Sequence, residues 1–454
     1  MTQVPFARKL AYASSGFGGS VCIGAMTYLM YFYTDIALLG VGLAGLATGI
    51  GSFFDAINDP LVGYYSDKTR TRWGRRRPWI AVATVPAAIA YIFLFRPPLT
   101  TDQYFLFFYL LATLLAVDAF ATMAYIPGAA LGLELSSDYQ ERTQIFALAT
   151  FFNNIGTIVG GFLPFAVASF ADVRTGYAQM TLIFAILGVA TNTLLLFIPE
   201  RRNVAPSHAT GLADFIQGYR ACLRNRLFRT LLLTFLVINL AGGLSLGVSV
   251  YALIYWLGFT QAEVGLIIPV WLGSSCLALP FWAWLSGRVG KGTALRWVLG
   301  YEALVLFAIY FLIPHKLIVY MFMVFSGFGY AGFVIVTSLL ADVLDIDELE
   351  TGEKRTGAFF GFWSVIVKAA QSVGPVVVGW ALAVTGYVPN APQTPLVVDT
   401  MRLLYGPIPA LLFIMSYLLF RNFSLTREQL AEVQAELARR RAIHPIDSDP
   451  LRLR

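Results

Sequence analysis

Apolar residues along this chain come in blocks of about 18 to 28, the length of an α-helix crossing a hydrocarbon core of ~30 Å. They do not come as the ~10-residue alternating segments of an outer-membrane barrel. Twelve helical spans are predicted, near 10–34, 41–66, 78–96, 104–127, 144–170, 177–198, 228–256, 264–286, 294–313, 317–343, 357–385 and 401–421. A helical bundle follows, because in lipid every backbone amide must find its partner inside its own segment. The longest polar interruption, from Pro199 to Arg229, divides six spans from six. The expected architecture is an all-α integral membrane fold. It has a six-helix bundle over 1–198, a linker over 199–227, a second six-helix bundle over 228–421 and a tail over 422–454. In the tail, "SLTREQLAEVQAELARRR" reads as one amphipathic helix, solvated in the cytoplasm or, alternatively, in contact with the membrane surface or a partner: Thr426 and Gln429 fit a capping box, and Leu430, Val433 and Leu437 share one face.

Composition agrees. Of 454 residues, 57% are hydrophobic and only 13% charged, where a soluble chain carries roughly 25% charged residues. No polar cleavage region follows "MTQVPFARKL", so the first span is expected to serve as its own insertion signal. Cys22, Cys222 and Cys276 lack metal-ligand spacing, and His208, His315 and His444 fall in polar connections or the tail. Neither a metal site beyond a coupling cation nor a cofactor is expected. "GLSLG", Gly243 to Gly247, matches the hydrolase GxSxG pattern but lies inside span seven, not on a strand-to-helix turn. With no nucleophile–base pair at membrane depth, an enzyme is not expected.

Charge reports topology. Basic residues gather in alternate connections: Lys68, Arg70, Arg72, Arg75, Arg76 and Arg77 after span two, then the central linker, Arg288 and Lys291 after span eight, and Lys354 and Arg355 after span ten. The positive-inside rule then places both termini in the cytoplasm of a bacterium or beneath a plasma membrane. The net charge of +6 reflects this bias and implies no nucleic acid. The halves also rhyme: "SDKTRTRWGRRR" answers "SGRVGKGTALR", and "ELSSDYQERT" answers "DIDELETGEKRT". Such repeats build carriers that hold a small solute at midplane between the halves. Partners beyond that solute and the bilayer are not indicated.

The chemistry concentrates in "DAINDP", Asp55 to Pro60. Asp55 and Asp59 lie one turn apart on one helical face, with Asn58 beside them, roughly 20 and 27 Å into span two. An intramembrane charge costs at least about 2.5–3.5 kcal/mol, so a pair is kept only if compensated or used. One reading is neutralisation by the nearby arginines. The other is a cation site, since paired carboxylates attract a small ion able to replace a proton, and hard oxygens suit it. Lys368, near the middle of span eleven, is either a structural ion-pair partner or a competitor of the cation for the same acids. Asp118 of span four and Glu302 of span nine also sit in apolar sequence, either supporting the ligands of such a site or packing helices together.

"YLMYFYTD" (28–35), "DAINDPLVGYYSDKTRTRWGRRRP" (55–78), "ELSSDYQERT" (134–143), "ADVLDIDELETGEKRTG" (341–357) and Lys368 together resemble the glycoside-pentoside-hexuronide:cation symporters of the major facilitator superfamily, the group of the melibiose permease. The resemblance spans both halves in order and implies Na⁺- or H⁺-coupled symport by alternating access. It implies that Asp55, Asn58, Asp59 and Thr122 bind the cation and that Lys368 couples it. A cytoplasmic gate is implied in loops 66–78 and 134–143 and their repeats, with Asp67, Arg75, Arg76, Glu134, Asp138, Arg142, Asp342 and Arg355. The sugar half of the family site departs: Gly19, Thr150, Tyr125 and Ala129 replace a sugar-binding Asp, an Arg, a further Asp and a stacking Trp. A galactoside is therefore not the expected cargo. Asn153, Asn154, Asn239 and Gln371 are the amides, and Tyr28, Tyr125, Phe333 and Trp363 the rings, available to another sugar derivative or to helix packing. An animal branch of the family carries lysophospholipids, so an amphiphile is the alternative cargo; a transport-dead sensor on the same fold is a further one.

Overall fold

The computed structural model describes residues 4–136, 138–200, 222–311, 315–352, 355–423, 425 and 427–443. Most of the expected linker, His208, His444, Lys354 and the Thr426 of the capping box lie outside these residues. Among the described residues there are no strands, and eleven helices are long and apolar enough to cross a membrane. The first traversal makes the twelfth. It is not one helix but a series: Phe6–Ser15, Phe17–Met26, Leu29–Tyr31 and a π-helical turn, Phe32–Ile36.

Helices start where the sequence supplies caps. The Asp102 carboxylate accepts from the amides of Tyr104 and Phe105 to open span four (Gln103–Leu135), and Asp138 accepts from Glu141 to open span five (Tyr139–Gly161). Asn225 does the same for span seven, which starts at Arg226, and Thr260 with Glu263 forms a capping box before span eight (Gln261–Val289). Several helices outrun their apolar blocks: span four continues to Leu135 and span ten (Lys316–Thr351) to Thr351. Hydropathy detects the lipid-facing length and misses the polar turns projecting beyond it.

Spans one and seven end alike. Each closes on a π-turn, Phe32–Ile36 in one and Ala252–Trp256 in the other. A residue with positive φ follows each: Leu38 at 62° and Gly258 at 71°. The amide of Leu39 then donates to the Tyr33 carbonyl at 2.8 Å, and that of Phe259 to Leu253 at 2.9 Å. This duplicated ending is the internal repeat expressed in backbone.

One hydrophobic cluster draws on both halves, from Val21 to Tyr405, and fills the end of the bundle that carries Asp35. At the opposite end, which carries Arg75 and Arg355, the core splits: one cluster around Tyr12, Ile80 and Ile198 belongs to the first half, and one around Phe228, Leu340 and Phe423 to the second. Spans two (Val41–Lys68) and eleven (Thr356–Thr385) meet across the halves at Gly45 and Gly379. A Cβ built on Gly379 would come within 2.9 Å of the Gly45 Cα, so only glycine permits this approach. The tail helix, Arg427–Ile443, packs on the second half and does not stand free in solvent. Leu437 is buried, Gln434 donates to Asp345 at 3.1 Å, Arg440 donates to the Leu349 carbonyl at 3.0 Å, and Arg427 to the Gly287 carbonyl at 3.1 Å.

Candidate functional site

The regular helix of span two puts Asp55 and Asp59 on one face, and span eleven brings Lys368 to meet them from the other half. The Lys368 ammonium lies 2.8 Å from Asp55 Oδ2 and is hydrogen-bonded to Asp59 Oδ2. Thr122 of span four donates to Asp55 Oδ1 at 3.2 Å. Asn58 turns elsewhere, its amide 3.5 Å from the Asp118 backbone carbonyl. Four of the five residues expected at the cation site and its coupling lysine thus converge. Their side chains keep 27% (Lys368), 31% (Asp55) and 18% (Asp59) of their exposure, so water and small ions reach them. Two carboxylates facing one ammonium leave one uncompensated negative charge, which favours a monovalent cation.

The way in is set by the two ends of the bundle. At the Asp35 end the halves are tied. The Asp35 carboxylate accepts from Tyr255, its two oxygens both accept from Tyr387, at 2.8 and 2.9 Å, and its backbone carbonyl accepts from Asn390 at 2.6 Å. Thr34 meets Tyr251 at 2.9 Å, and Gln261 donates to Tyr31 at 2.8 Å. Asp35, Tyr251, Tyr255 and Tyr387 were not foreseen: an acid at a span's edge and tyrosines in apolar sequence look like ordinary interface and core.

At the arginine end, no hydrogen bond or ion pair joins the halves among the described residues. The residues expected to gate there pair within their own halves. Arg75 meets Glu134 at 2.5 Å, Arg76 lies 3.0 Å from Glu134 and 3.5 Å from Asp67, and Arg142 donates to the Ser136 carbonyl at 2.9 Å. Asp138 is occupied as the cap of span five. In the second half Lys291 meets Asp342 at 2.6 Å, and Arg355 meets Asp347 at 2.8 Å. A residue the sequence did not flag organises the first set: the buried Glu200 carboxylate accepts from the backbone amides of Arg75 and Arg76 at 2.9 and 3.3 Å. The halves are therefore tied at the Asp35 end, whereas the described gate residues at the arginine end pair within their own halves.

The residues expected to line a solute pocket separate into two sets. Tyr28 is fully buried and donates to the Gly161 carbonyl at 2.7 Å. Trp363 is buried and stacks on Phe235 with centroids 4.7 Å apart; Phe333 stacks on Phe413 at 5.7 Å. Gln371 donates to Asn239 at 2.8 Å, and Asn239 to the Phe235 carbonyl at 2.8 Å, joining spans seven and eleven. Of these five, Tyr28, Asn239 and Trp363 are buried, Phe333 is half-buried and Gln371 is exposed. Tyr125 is 66% exposed one turn from Thr122, Asn154 reaches Cys276 of span eight at 3.6 Å, and the Asn153 amide oxygen is buried without a partner beside Gly16. Glu302 is buried between spans nine and ten against Gly329, away from the acids of span two.

The family model described as MFS/sugar transport protein matches residues 11–427. The "Uncharacterized symporter sll1374" of Synechocystis is 26% identical, with 96% of this chain and 97% of that protein covered. The "Sodium-dependent lysophosphatidylcholine symporter 1" of Gallus gallus is also 26% identical, covering 93% of this chain and 87% of that protein. Among solved structures, a D-xylose-proton symporter superposes with a TM-score of 0.66 at 15% identity, over 92% of this chain and 97% of the other.

Proposed function

Since the chain belongs to the MFS/sugar transport protein family and is a multi-pass membrane transporter, we propose that it moves a small organic solute, a sugar or glycoside derivative, together with Na⁺ or H⁺. The observation that carries this reading is Lys368 held between Asp55 and Asp59, each partner from a different half. A cation entering between the carboxylates displaces the ammonium and removes a tie between the halves at midplane. Occupancy then biases which end opens. By the positive-inside rule the arginine end faces the cytoplasm, so the conformation described is inward-facing, in a bacterial inner or plasma membrane with both termini cytoplasmic. In the outward-facing conformer the Asp35 ties would break, and the gate residues of the two halves would approach one another.

The test begins with a thermal-shift screen of the purified chain against glycosides, uronates and lysolipids, with and without Na⁺, followed by uptake into proteoliposomes. Asp55→Asn and Asp59→Asn are expected to abolish cation-driven accumulation. Undiminished uphill uptake by both variants would reject the coupling role. A second reading, an amphiphilic cargo, is favoured by one observation. Tyr125 and Phe151 present 66% and 58% exposed rings one turn from Thr122 and Asn154 respectively, an apolar surface of the kind an acyl chain would cover. A shift with lysolipid and none with glycosides would select it.

A further inference from the structure

A groove on the outside of the second half lies apart from the chamber around Lys368. Span twelve consists of two helices, Pro395–Tyr405 and Pro407–Phe420, and the second packs along span nine (Lys291–Ile309). Between them is a cavity of about 380 Å³ whose lining is apolar save for one tyrosine hydroxyl, with Gly300, Ala303 and Phe307 on one wall and Ile414 and Tyr417 on the other. Phe307, Ile414 and Tyr417 are exposed, so the groove faces the lipid. A Cβ built on Gly300 would meet nothing within 4 Å, which leaves that wall open. Two arginines stand at one end of the groove. Arg296 lies one turn before Gly300, and Arg421 one turn after Tyr417. Arg296 donates to the Arg421 backbone carbonyl at 3.5 Å and to Thr293 Oγ1 at 3.1 Å, joining the two spans there. Neither guanidinium pairs with a carboxylate among the described residues, and Arg421 is exposed. Trp297, next to Arg296, is exposed as well, as befits a ring at the edge of the hydrocarbon.

We propose that this groove holds one anionic phospholipid from the leaflet at the arginine end, its phosphate on Arg296 and Arg421 and one acyl chain lying past Gly300 and Ala303 toward Phe307. Two observations select this occupant. Uncompensated guanidinium groups at the water edge of an apolar groove match a phosphate in charge and in hydrogen-bonding geometry. The distance from Arg296 to Phe307 is about 16 Å along the helix, half of a ~30 Å hydrocarbon core. That is the reach of a chain from one leaflet, whereas a partner's transmembrane helix would need the full thickness. Phosphatidylcholine carries the same phosphate, but its own ammonium offsets it, so a net negative headgroup is preferred. A lipid seated in this way bridges spans nine and twelve and stabilises the second half, whatever the cargo and coupling ion.

The test needs no cargo. The purified full-length chain, delipidated in detergent, is offered dioleoylphosphatidylglycerol, dioleoylphosphatidylcholine or inorganic phosphate; bound lipid is counted by native mass spectrometry and Tm is followed in parallel. The wild type is expected to retain one phosphatidylglycerol per chain and to prefer it over phosphatidylcholine by about fivefold for each arginine. Arg421→Gln removes a guanidinium that makes no hydrogen bond among the described residues, and should lower that preference about fivefold with an unchanged Tm in lipid-free detergent. Gly300→Phe fills the groove from a position with open space around it, and should lower retention of both lipids; Gly300→Leu repeats the measurement with a smaller side chain if the lipid-free Tm falls. Equal retention of the two lipids by the wild type, or phosphatidylglycerol retention that Arg421→Gln or the Gly300 variants leave unchanged, would overturn the proposal. Stabilisation by inorganic phosphate alone that equals that by phosphatidylglycerol would reduce the site to one for a free anion and overturn it too. So would a dimer that persists with either lipid and that Gly300→Phe splits, since the groove would then belong to a second copy of the chain.

Discussion

Asp35 and Tyr255 stand 220 positions apart, at equivalent places in the two π-turns, and hydrogen-bond to each other where the halves meet. Tyr387 of the connection after span eleven reinforces the tie on the same carboxylate. A hydrogen bond to a charged group contributes about 1.5–3 kcal/mol, so each contact is able to shift the balance of conformers roughly ten- to a hundredfold. Tyr255→Phe and Tyr387→Phe are each expected to populate a conformer open at the Asp35 end. Spin labels at the exposed positions Leu99 and Val388 would report this as a longer distance, and an unchanged distance in the double variant would remove the role of the tie.

Lys368→Ala leaves Asp55 and Asp59 facing each other without compensation. Because the three side chains are partly open to solvent, the expected loss is about 1–3 kcal/mol, below the range for a fully buried pair. It should appear as a lower Tm in Na⁺-free buffer and be largely restored by saturating Na⁺. Equal Na⁺ shifts in wild type and variant would argue against competition between lysine and ion.

Gly379→Leu places a side chain where the Gly45 backbone now lies. Overpacking of this kind costs about 1–3 kcal/mol, and it acts only on the conformer closed at the Asp35 end. Transport should stop while Na⁺ binding persists. A cysteine placed at Gly42, on the same packed face of span two, should gain reactivity toward an impermeant maleimide applied from that side.

The two sets of pocket residues should also respond differently. Trp363→Ala removes a buried ring stacked on Phe235 and is expected to cost about 3–5 kcal/mol of stability. Tyr125→Ala removes an exposed ring and should leave Tm unchanged while weakening the stabilisation given by whichever cargo the screen identifies. A Tm loss of similar size in both would mean that Tyr125 is structural as well.

The spans and the repeat were legible in the sequence, and so was the pairing of Asp55 and Asp59 with Lys368, because charge in an apolar helix is costly and its partner must be nearby; Thr122 followed from the family resemblance alone. Span one was not legible as a series of short pieces: hydropathy averages over Gly16 and the π-turn at Phe32–Ile36, which alter hydrogen bonding and leave composition unchanged. Tyr28, Asn239 and Trp363 are buried among neighbouring helices, a placement the sequence does not reveal because a Trp or an Asn in an apolar span reads the same whether its partner is a solute or the next helix. Glu200 escaped notice for a similar reason: its partners are backbone amides 125 and 124 positions away. The tail helix was expected in solvent, and its docking depends on Asp345 and Leu349, residues its own sequence does not contain.

That docking has a practical use. The tail helix is fastened to the ends of spans eight and ten, so it travels with the second half as one body. A fluorophore on the exposed Arg439 and another on the exposed Arg72 of the first half would turn the swing of one half against the other into a change in energy transfer, giving a transporter with an unassigned passenger a visible readout of its own cycle.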